Sequence, residues 1–336
     1  MQKSKLKTLY VLKFLDELSD ENHPLSSSDL IELLNEKGIT CERKSVYADV
    51  EALKEIGFDI ISTTLPKRGF FMANRTFELA QVRLLIDAVT FAGFITPKKT
   101  LDLVEKLETL VSKSQATELK PKFYFDSSNK CDNEEIYYVI DTLNEAISKN
   151  LMVKFTYKRR NIDKENNKNY TSKVHTVSPY GLIWKDDHYY LVCNNSKFDD
   201  LSNLRVDRMS KVEILNKHCR NVCEVSEYRD VFDAYDYSSK MFNMFTGETM
   251  DVKLLCDLDL REEIMDRFGA KIPLKAVDIN HFETNINVAV SQGLVSWIMN
   301  FGDKIKVLEP QSLADSVVSK AKDIINIYKW LNGTIN

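Results

Sequence analysis

The stretch Ser178-Pro-Tyr-Gly-Leu-Ile-Trp-Lys-Asp-Asp-His-Tyr-Tyr-Leu-Val192, with Leu204-Arg-Val-Asp-Arg-Met209 close behind it, decides how the middle of this chain folds. Two apolar runs, Gly181–Trp184 and Tyr189–Cys193, stand on either side of the polar Lys-Asp-Asp-His turn. Runs of similar length recur at Leu151–Tyr157, Val174–Ser178, Leu204–Val206 and Lys211–Leu215. Short strands separated by polar turns predict a small barrel. The turn from Arg159 to Asn169 is too polar for a core, and a helix is predicted just ahead of the first strand, over 135–149.

Downstream the pattern changes. Asp251–Leu258 reads as a strand, followed by a helix at about 260–268, two strands within 274–290, a helix at 293–300, a strand at 304–308 and a closing helix from Leu313 to Trp330. Alternation of that length predicts an α+β sandwich of ferredoxin-like type.

Upstream, residues 5–18 are rich in strong helix formers and broadly apolar, which predicts a buried first helix. Ser26, with Asp29 three residues later, resembles a capping-box start, and Leu30, Leu33 and Leu34 share one helical face until Gly38. After a four-residue turn, the segment Glu42–Ile56 sets Val46, Val50 and Leu53 at i, i+4 and i+7, so a third helix buries that stripe. Arg43, Lys44 and Tyr47 then project from its first turns on the other side, with Ser45 near the amino end. Helix, helix, tight turn, helix is the helix-turn-helix layout, whose last helix enters the major groove amino end first. Behind Gly57, Phe58–Met72 alternates like two strands around Pro66-Lys67-Arg68-Gly69, the basic-tipped hairpin of a wing. The DNA-binding candidates are therefore Arg43, Lys44, Ser45, Tyr47, Lys67 and Arg68. From Phe77 to about Ser114 the pattern is helical, broken at Pro97; such a bridge carries either a dimer seam or an intramolecular one. Ser112–Asn133 reads as an exposed connector.

At 336 residues the chain is too long for one typical core. The division expected is residues 1–75 for the winged helix-turn-helix, 76–134 for a helical linker or dimerisation region, 135–225 for the barrel and 226–336 for the α+β extension. Net charge is −4, but residues 151–215 carry twelve Lys/Arg against eight Asp/Glu, which points to an anionic partner there. The apolar stretch behind the basic start is broken by Lys13, Asp16 and Glu17, and nowhere do about 18 uncharged apolar residues run together, so neither a secretory leader nor a membrane span is expected. The expected location is the cytoplasm. Six scattered cysteines form no disulfide framework, and Cys219 and Cys223 beside His218 lack a second ligand pair at zinc-module spacing. No Gly-rich phosphate loop, His-Glu-x-x-His or Gly-x-Ser-x-Gly motif occurs, so neither an enzyme nor a cofactor is expected.

The barrel stretch closely resembles the core of WYL-domain regulators. In that family a proline-glycine-leucine strand leads to a Trp-Tyr-Leu triplet and an Arg-x-Asp-Arg strand follows; the triplet stands here as Tyr189-Tyr190-Leu191. Tyrosine for tryptophan keeps a large apolar ring with a polar handle. Lys44-Ser-Val-Tyr-Ala-Asp-Val50 is similar to the family's recognition helix, Arg-Thr-Ile-x-Arg-Asp-Ile, with Lys44 for the first arginine and Ala48 for the second. Trp297-Ile-Met-Asn-Phe-Gly302 and Val307-Leu-Glu-Pro310 match the family's carboxy-terminal extension, so the resemblance runs nearly end to end. It implies a multidomain α+β fold: winged helix-turn-helix, helical linker, small Sm/SH3-like β-barrel and ferredoxin-like extension. It also implies a homodimeric bacterial regulator of a double-stranded DNA operator, whose barrel binds an effector, in some relatives a nucleotide or single-stranded nucleic acid.

For such an effector, Arg205 and Arg208 offer charged planar forks suited to phosphate. Tyr157, Tyr189 and Tyr190 offer rings on which bases stack. Arg159, His175 and Ser178 complete the effector-binding candidates. A second reading stays open at this point: an accessory protein of a phage-defence or CRISPR system, binding single-stranded RNA or DNA in the barrel and using the winged helix for assembly.

Overall fold

The computed structural model describes residues 2–119, 130–160, 170–229 and 231–332, and the chain divides into two compact units, residues 1–134 and 135–336. In the first, α1 (Gln2–Leu18), α2 (Ser27–Glu36) and α3 (Arg43–Glu55) precede an antiparallel pair, β1 (Ile60–Thr63) and β2 (Gly69–Met72). The start of α2 follows from its sequence: Ser26 Oγ accepts from the Asp29 N–H, and the Asp29 carboxylate accepts from the Ser26 N–H. Val46, Val50 and Leu53 of α3 are buried with Val11, Leu15, Leu30 and Leu34, so the three helices share one core, closed by Phe70 and Met72. Leu25 and Phe70 exchange backbone hydrogen bonds of 2.9 and 2.8 Å, which ties the segment ahead of α2 to the hairpin. Gly69 permits that approach, since a Cβ there would lie 2.6 Å from the Leu25 carbonyl oxygen.

Three further helices follow in this unit, α4 (Leu79–Phe91), α5 (Pro97–Glu108) and α6 (Lys113–Leu119). Pro97 opens α5 behind the Thr96 cap, as a residue without an N–H can. The reading of Ser112–Asn133 as connector is corrected in its first part, which is α6. Val111 and Leu119 pack with Val82 and Ile86, and Ser112 Oγ accepts from the Gln115 N–H while donating to the buried Asp20 carboxylate. Residues 120–129 of the expected connector lie outside the described residues.

The second unit begins with α7 (Ile136–Ser148), which packs on a five-stranded antiparallel sheet. Its strands are β3 (Leu151–Arg160), β4 (Tyr170–Lys185), β5 (His188–Asn194), β6 (Ser202–Arg205) and β7 (Met209–His218), in the order β6-β5-β4-β3-β7. Two expected strands, Val174–Ser178 and Gly181–Trp184, are halves of the single strand β4. Pro179 has no N–H to give the ladder, and a register shift between Pro179 and Gly181 carries the strand past it. Gly181 lies under Phe232, whose ring carbon would be 2.8 Å from an added Cβ. The expected strand Leu204–Val206 ends instead at Arg205, and Val206–Arg208 forms one 3₁₀ turn between the buried Val206 and Met209. Most of the expected polar turn, residues 161–169, lies outside the described residues.

A short helix with no forecast in the sequence pattern, α8 (Ala234–Lys240), starts where Asp233 accepts from the Tyr235 and Asp236 N–H groups. Tyr237 of α8 and Phe232 before it pack on Ile183, Val192 and Tyr190, covering part of one face of the five-stranded sheet. The tail then runs β8 (Glu248–Asp257), α9 (Arg261–Phe268), β9 (Leu274–Ala276), β10 (His281–Val290), α10 (Gln292–Met299), β11 (Ile305–Glu309) and α11 (Gln311–Asn332). Its sheet has the order β11-β8-β10-β9 with every pair antiparallel, and Leu254, Cys256, Ile264, Val288, Leu294, Ile298 and Leu313 fill the core between sheet and helices. No helix among the described residues is long and apolar enough to cross a membrane.

Candidate functional site

On α3 the helical period separates two faces. Asp49 turns inward, where Lys7 Nζ of α1 lies 2.8 Å from its carboxylate and Thr8 Oγ1 donates to it at 2.7 Å. Lys7 also donates to Ser45 Oγ, so Ser45 is engaged with α1 rather than free at the surface. Arg43, Lys44 and Ala48 are exposed, and Tyr47 is half-buried with its ring edge-on to Phe70 at 5.3 Å. The Arg43 guanidinium sits 5.7 Å over the Tyr47 ring and donates to its hydroxyl at 3.3 Å. That hydrogen bond holds the Tyr47 phenol below its ordinary value, with charge from Arg43 and Arg68 acting in the same sense. Arg43 and Tyr47 are therefore joined on the outward side of α3. Lys67 leans back at 2.5 Å on Asp29, the residue that caps α2.

The second candidate site lies toward the β6 edge of the five-stranded sheet. β4 and β5 are joined by Asp186 and Asp187 alone, both at positive φ (51° and 58°), as a tight two-residue hairpin requires. The register pairs Lys185 with His188, Ile183 with Tyr190, and Tyr190 with Arg205. His188, Tyr190 and Arg205 thus share one face of the sheet, and Tyr189, paired with Trp184, falls on the other. Arg205 donates through Nε and Nη2 to the two oxygens of Asp207 at 3.0 and 2.7 Å. Burial works against its charge, but Asp207 outweighs burial and holds the guanidinium above its ordinary pKa. Nη1 of the fork has no hydrogen-bond partner among the described residues. The Arg205 N–H donates to Tyr157 Oη at 3.3 Å, so Tyr157, which is buried, acts as wall rather than as an open ring. Arg208, on the 3₁₀ turn, is exposed and forms no ion pair among the described residues.

Sequence reasoning passed over two residues here. His188 is half-buried and its Nδ1 is buried without a hydrogen-bond partner; burial first, then the charge of Arg205, hold the imidazole below its usual range. Its position two residues ahead of Tyr190 on a strand was the available signal. Lys185 donates to the Ser238 and Met241 carbonyls at the end of α8, and Arg267 donates to the same Met241 oxygen at 2.8 Å while lying 4.5 Å over the Phe242 ring. Burial, then the charge of Arg267, push the Lys185 amine down to about 8.

The other effector candidates form a separate group. His175 stacks on Phe155 at 5.7 Å and meets Tyr157 edge-on at 5.7 Å. Burial, then Lys173 and Arg159, hold its imidazole low. Tyr157 joins this group to Arg205. Ser178 is buried and accepts from the Arg220 N–H at 3.0 Å, a structural bond. Among the described residues no group of three or more His, Cys, Asp and Glu could hold a metal ion, so His218, Cys219 and Cys223 make no such cluster.

The protein-family models place these features. The WYL domain matches residues 138–214 and the WCX domain residues 248–325, and the two together support a WYL-domain transcriptional regulator. Among curated proteins it is similar to the uncharacterized HTH-type transcriptional regulator YobV of Bacillus subtilis (strain 168), with 18% identity over 298 residues, 85% of this chain and 90% of that one. Among solved structures it aligns with proteasome accessory factor B/C (PafBC) of Arthrobacter aurescens, at 13% identity and a TM-score of 0.27, over 93% of this chain. The chain spans 47% of that protein's length.

Proposed function

We propose that the chain is a cytoplasmic, homodimeric, DNA-binding transcription regulator whose barrel takes an anionic effector and thereby changes operator binding. On this reading the first three helices and hairpin are a winged helix-turn-helix, residues 135–225 a small Sm/SH3-like barrel, and residues 226–336 a ferredoxin-like extension, for which the order β11-β8-β10-β9 speaks. The observation that carries the DNA assignment is the division of α3: Asp49 and Ser45 anchor it to Lys7, while Arg43, Lys44 and Tyr47 face outward beside Arg68. Phosphate contacts of this kind release counterions, so binding must fall steeply with salt. A gel shift on the DNA upstream of the protein's own coding sequence tests it. A sequence-selective, salt-sensitive complex at one dimer per site, with stoichiometry read by sedimentation, supports the proposal. Absence of any such complex, combined with tight binding of single-stranded oligonucleotides, favours the accessory-protein reading instead, to which the exposed methyl of Ala48 in place of a basic side chain lends weight.

For the effector, the anion would be met by the free edge of Arg205 and by Arg208, beside Tyr190. Isothermal titration with a nucleotide panel, followed by the gel shift with and without the tightest ligand, tests the coupling. A ligand can shift the DNA equilibrium only by its differential affinity for the two states.

A further inference from the structure

The connection from β5 to β6, the segment ahead of α8 and the start of β8 enclose a cavity of about 530 Å³, whose described lining includes neither Arg205 nor Arg208. Small-molecule sites commonly measure roughly 300–1,000 Å³. Its floor is apolar, with Leu201 and Val225 each 6% exposed. Tyr237, also buried, is part of the wall and spends its hydroxyl on Asn203 at 3.2 Å. Tyr228 is half-buried and donates its hydroxyl to Asp236 at 2.7 Å, so what it offers the cavity is its ring. Gly247 adds bare backbone: a Cβ there would lie 2.1 Å from the Val290 carbonyl oxygen, which pins this side against the end of β10. Three exposed carboxylates, Asp200, Glu227 and Glu248, complete the lining, and no lysine or arginine is among its described residues. Lys240 reaches Glu227 from α8, with Nζ 2.9 Å from that carboxylate, 2.7 Å from Asp236 and 5.9 Å from the Tyr228 ring. The protein's own ammonium thus rests between carboxylates and this ring. It neutralises Glu227 and leaves Asp200 and Glu248, which form no ion pair among the described residues.

We propose that this cavity is a second ligand site, taking a small organic cation: an ammonium or guanidinium carried on an aromatic or branched alkyl body. The carboxylates repel an anion. They also do not converge, since among the described residues no group of three His, Cys, Asp or Glu could hold a metal ion. Charge spread around an apolar hollow gives a compact inorganic ion no cage, but it suits a cation whose bulk fills the hollow. The body of the ligand displaces water from Leu201 and Val225. Its charged end stays at the mouth beside the Tyr228 ring, within the field of Asp200 and Glu248. Cation–π attraction strengthens as the ring and the charge are withdrawn from water, and so does the attraction of the two carboxylates. A neutral ligand of the same shape keeps the apolar contact and loses both. The site does not depend on the barrel edge as an effector site, and either can fail alone.

The test is calorimetry on the full chain with three probes that share one ring and differ in charge: phenethylammonium, 2-phenylethanol and phenylacetate. Phenethylammonium should bind at least about tenfold tighter than the alcohol, from cation–π attraction and two partly desolvated carboxylates together, and phenylacetate should not bind. High salt should narrow the gap between ammonium and alcohol, because the carboxylates at the mouth are open to screening. The combined variant Asp200→Asn and Glu248→Gln alters two exposed side chains without changing their shape. It should keep the wild-type melting temperature and lose most of the preference for the ammonium. Independently of any variant, the Leu201 and Val225 methyl signals of the wild-type protein, followed by NMR, should shift as phenethylammonium is added, through the ring current of the bound probe. Equal binding of ammonium and alcohol, a preference that survives the combined variant, or binding that leaves both methyl groups unmoved overturns the proposal. Failure of all three probes to bind the wild type overturns it as well, and leaves the barrel-edge reading untouched.

Discussion

Arg205 spends two of its donors on Asp207, which leaves the third side of its fork for the ligand on the reading proposed above. Arg205→Ala should cost the effector about 2–5 kcal/mol of affinity, because a hydrogen-bonded charge is removed, and should leave operator affinity unchanged. Calorimetry and gel shift on the same preparation read the two effects. Arg205→Lys should not restore binding, since an ammonium cannot span both Asp207 and an incoming anion. An unaltered response in either variant removes Arg205 from the site. The thiols supply a second check. Burial pushes Cys193 up to about 12 and Cys219 up to about 11, so both stay protonated near neutral pH, while Cys223 is exposed. A thiol reagent should therefore modify Cys223 quickly and reach Cys193 only on unfolding; fast reaction at Cys193 in the folded protein would contradict its buried place behind β6.

Among the elements, α3 and the hairpin are the ones to which the proposed DNA contacts belong. Ala48 lies on the exposed face of α3, and Ala48→Arg should tighten operator binding and steepen its salt dependence by about one counterion, as one added phosphate contact does. An unchanged slope would mean that this face does not meet DNA. Gly69→Ala should lower stability by roughly 1–3 kcal/mol, since the methyl would press into the Leu25 carbonyl, and should weaken DNA binding through the hairpin. Denaturant unfolding measures the first and gel shift the second. Sequence pattern was a good guide to these elements, because the period of Val46, Val50 and Leu53, the Ser26–Asp29 cap and the alternation around Pro66–Gly69 are local signals. It was a poor guide where the deciding contact is distant. α6 depends on Val82 and Asp20, far back along the chain, and the seven residues of α8 are too few to show a helical period. In the five-stranded sheet, the pairing that sets His188, Tyr190 and Arg205 on one face comes from the register of β4, β5 and β6, which residue type alone does not give.

For the molecule as a whole, the second unit is joined internally by polar bonds as well as by the α8 aromatics. Lys185→Met should remove the donor to the Ser238 carbonyl and cost about 1–3 kcal/mol, read as a lower unfolding midpoint. The same lysine gives a pH signature. Its folded value near 8 is below the ordinary 10.5, so the unfolded chain holds more protons than the folded one between those limits. Stability of this unit should therefore rise as pH passes upward through about 8, before thiol and tyrosine ionisation begins to oppose it. The variant should lose that rise, and an identical pH profile in both proteins would refute the assignment. Lys185 and His188 stand at the two feet of one tight turn, with only Asp186 and Asp187 between them. One foot is planted on α8 and shares an oxygen with Arg267; the other has its ring edge-on to Tyr190. A turn so short leaves the backbone little slack, so a displacement of one foot should be felt at the other.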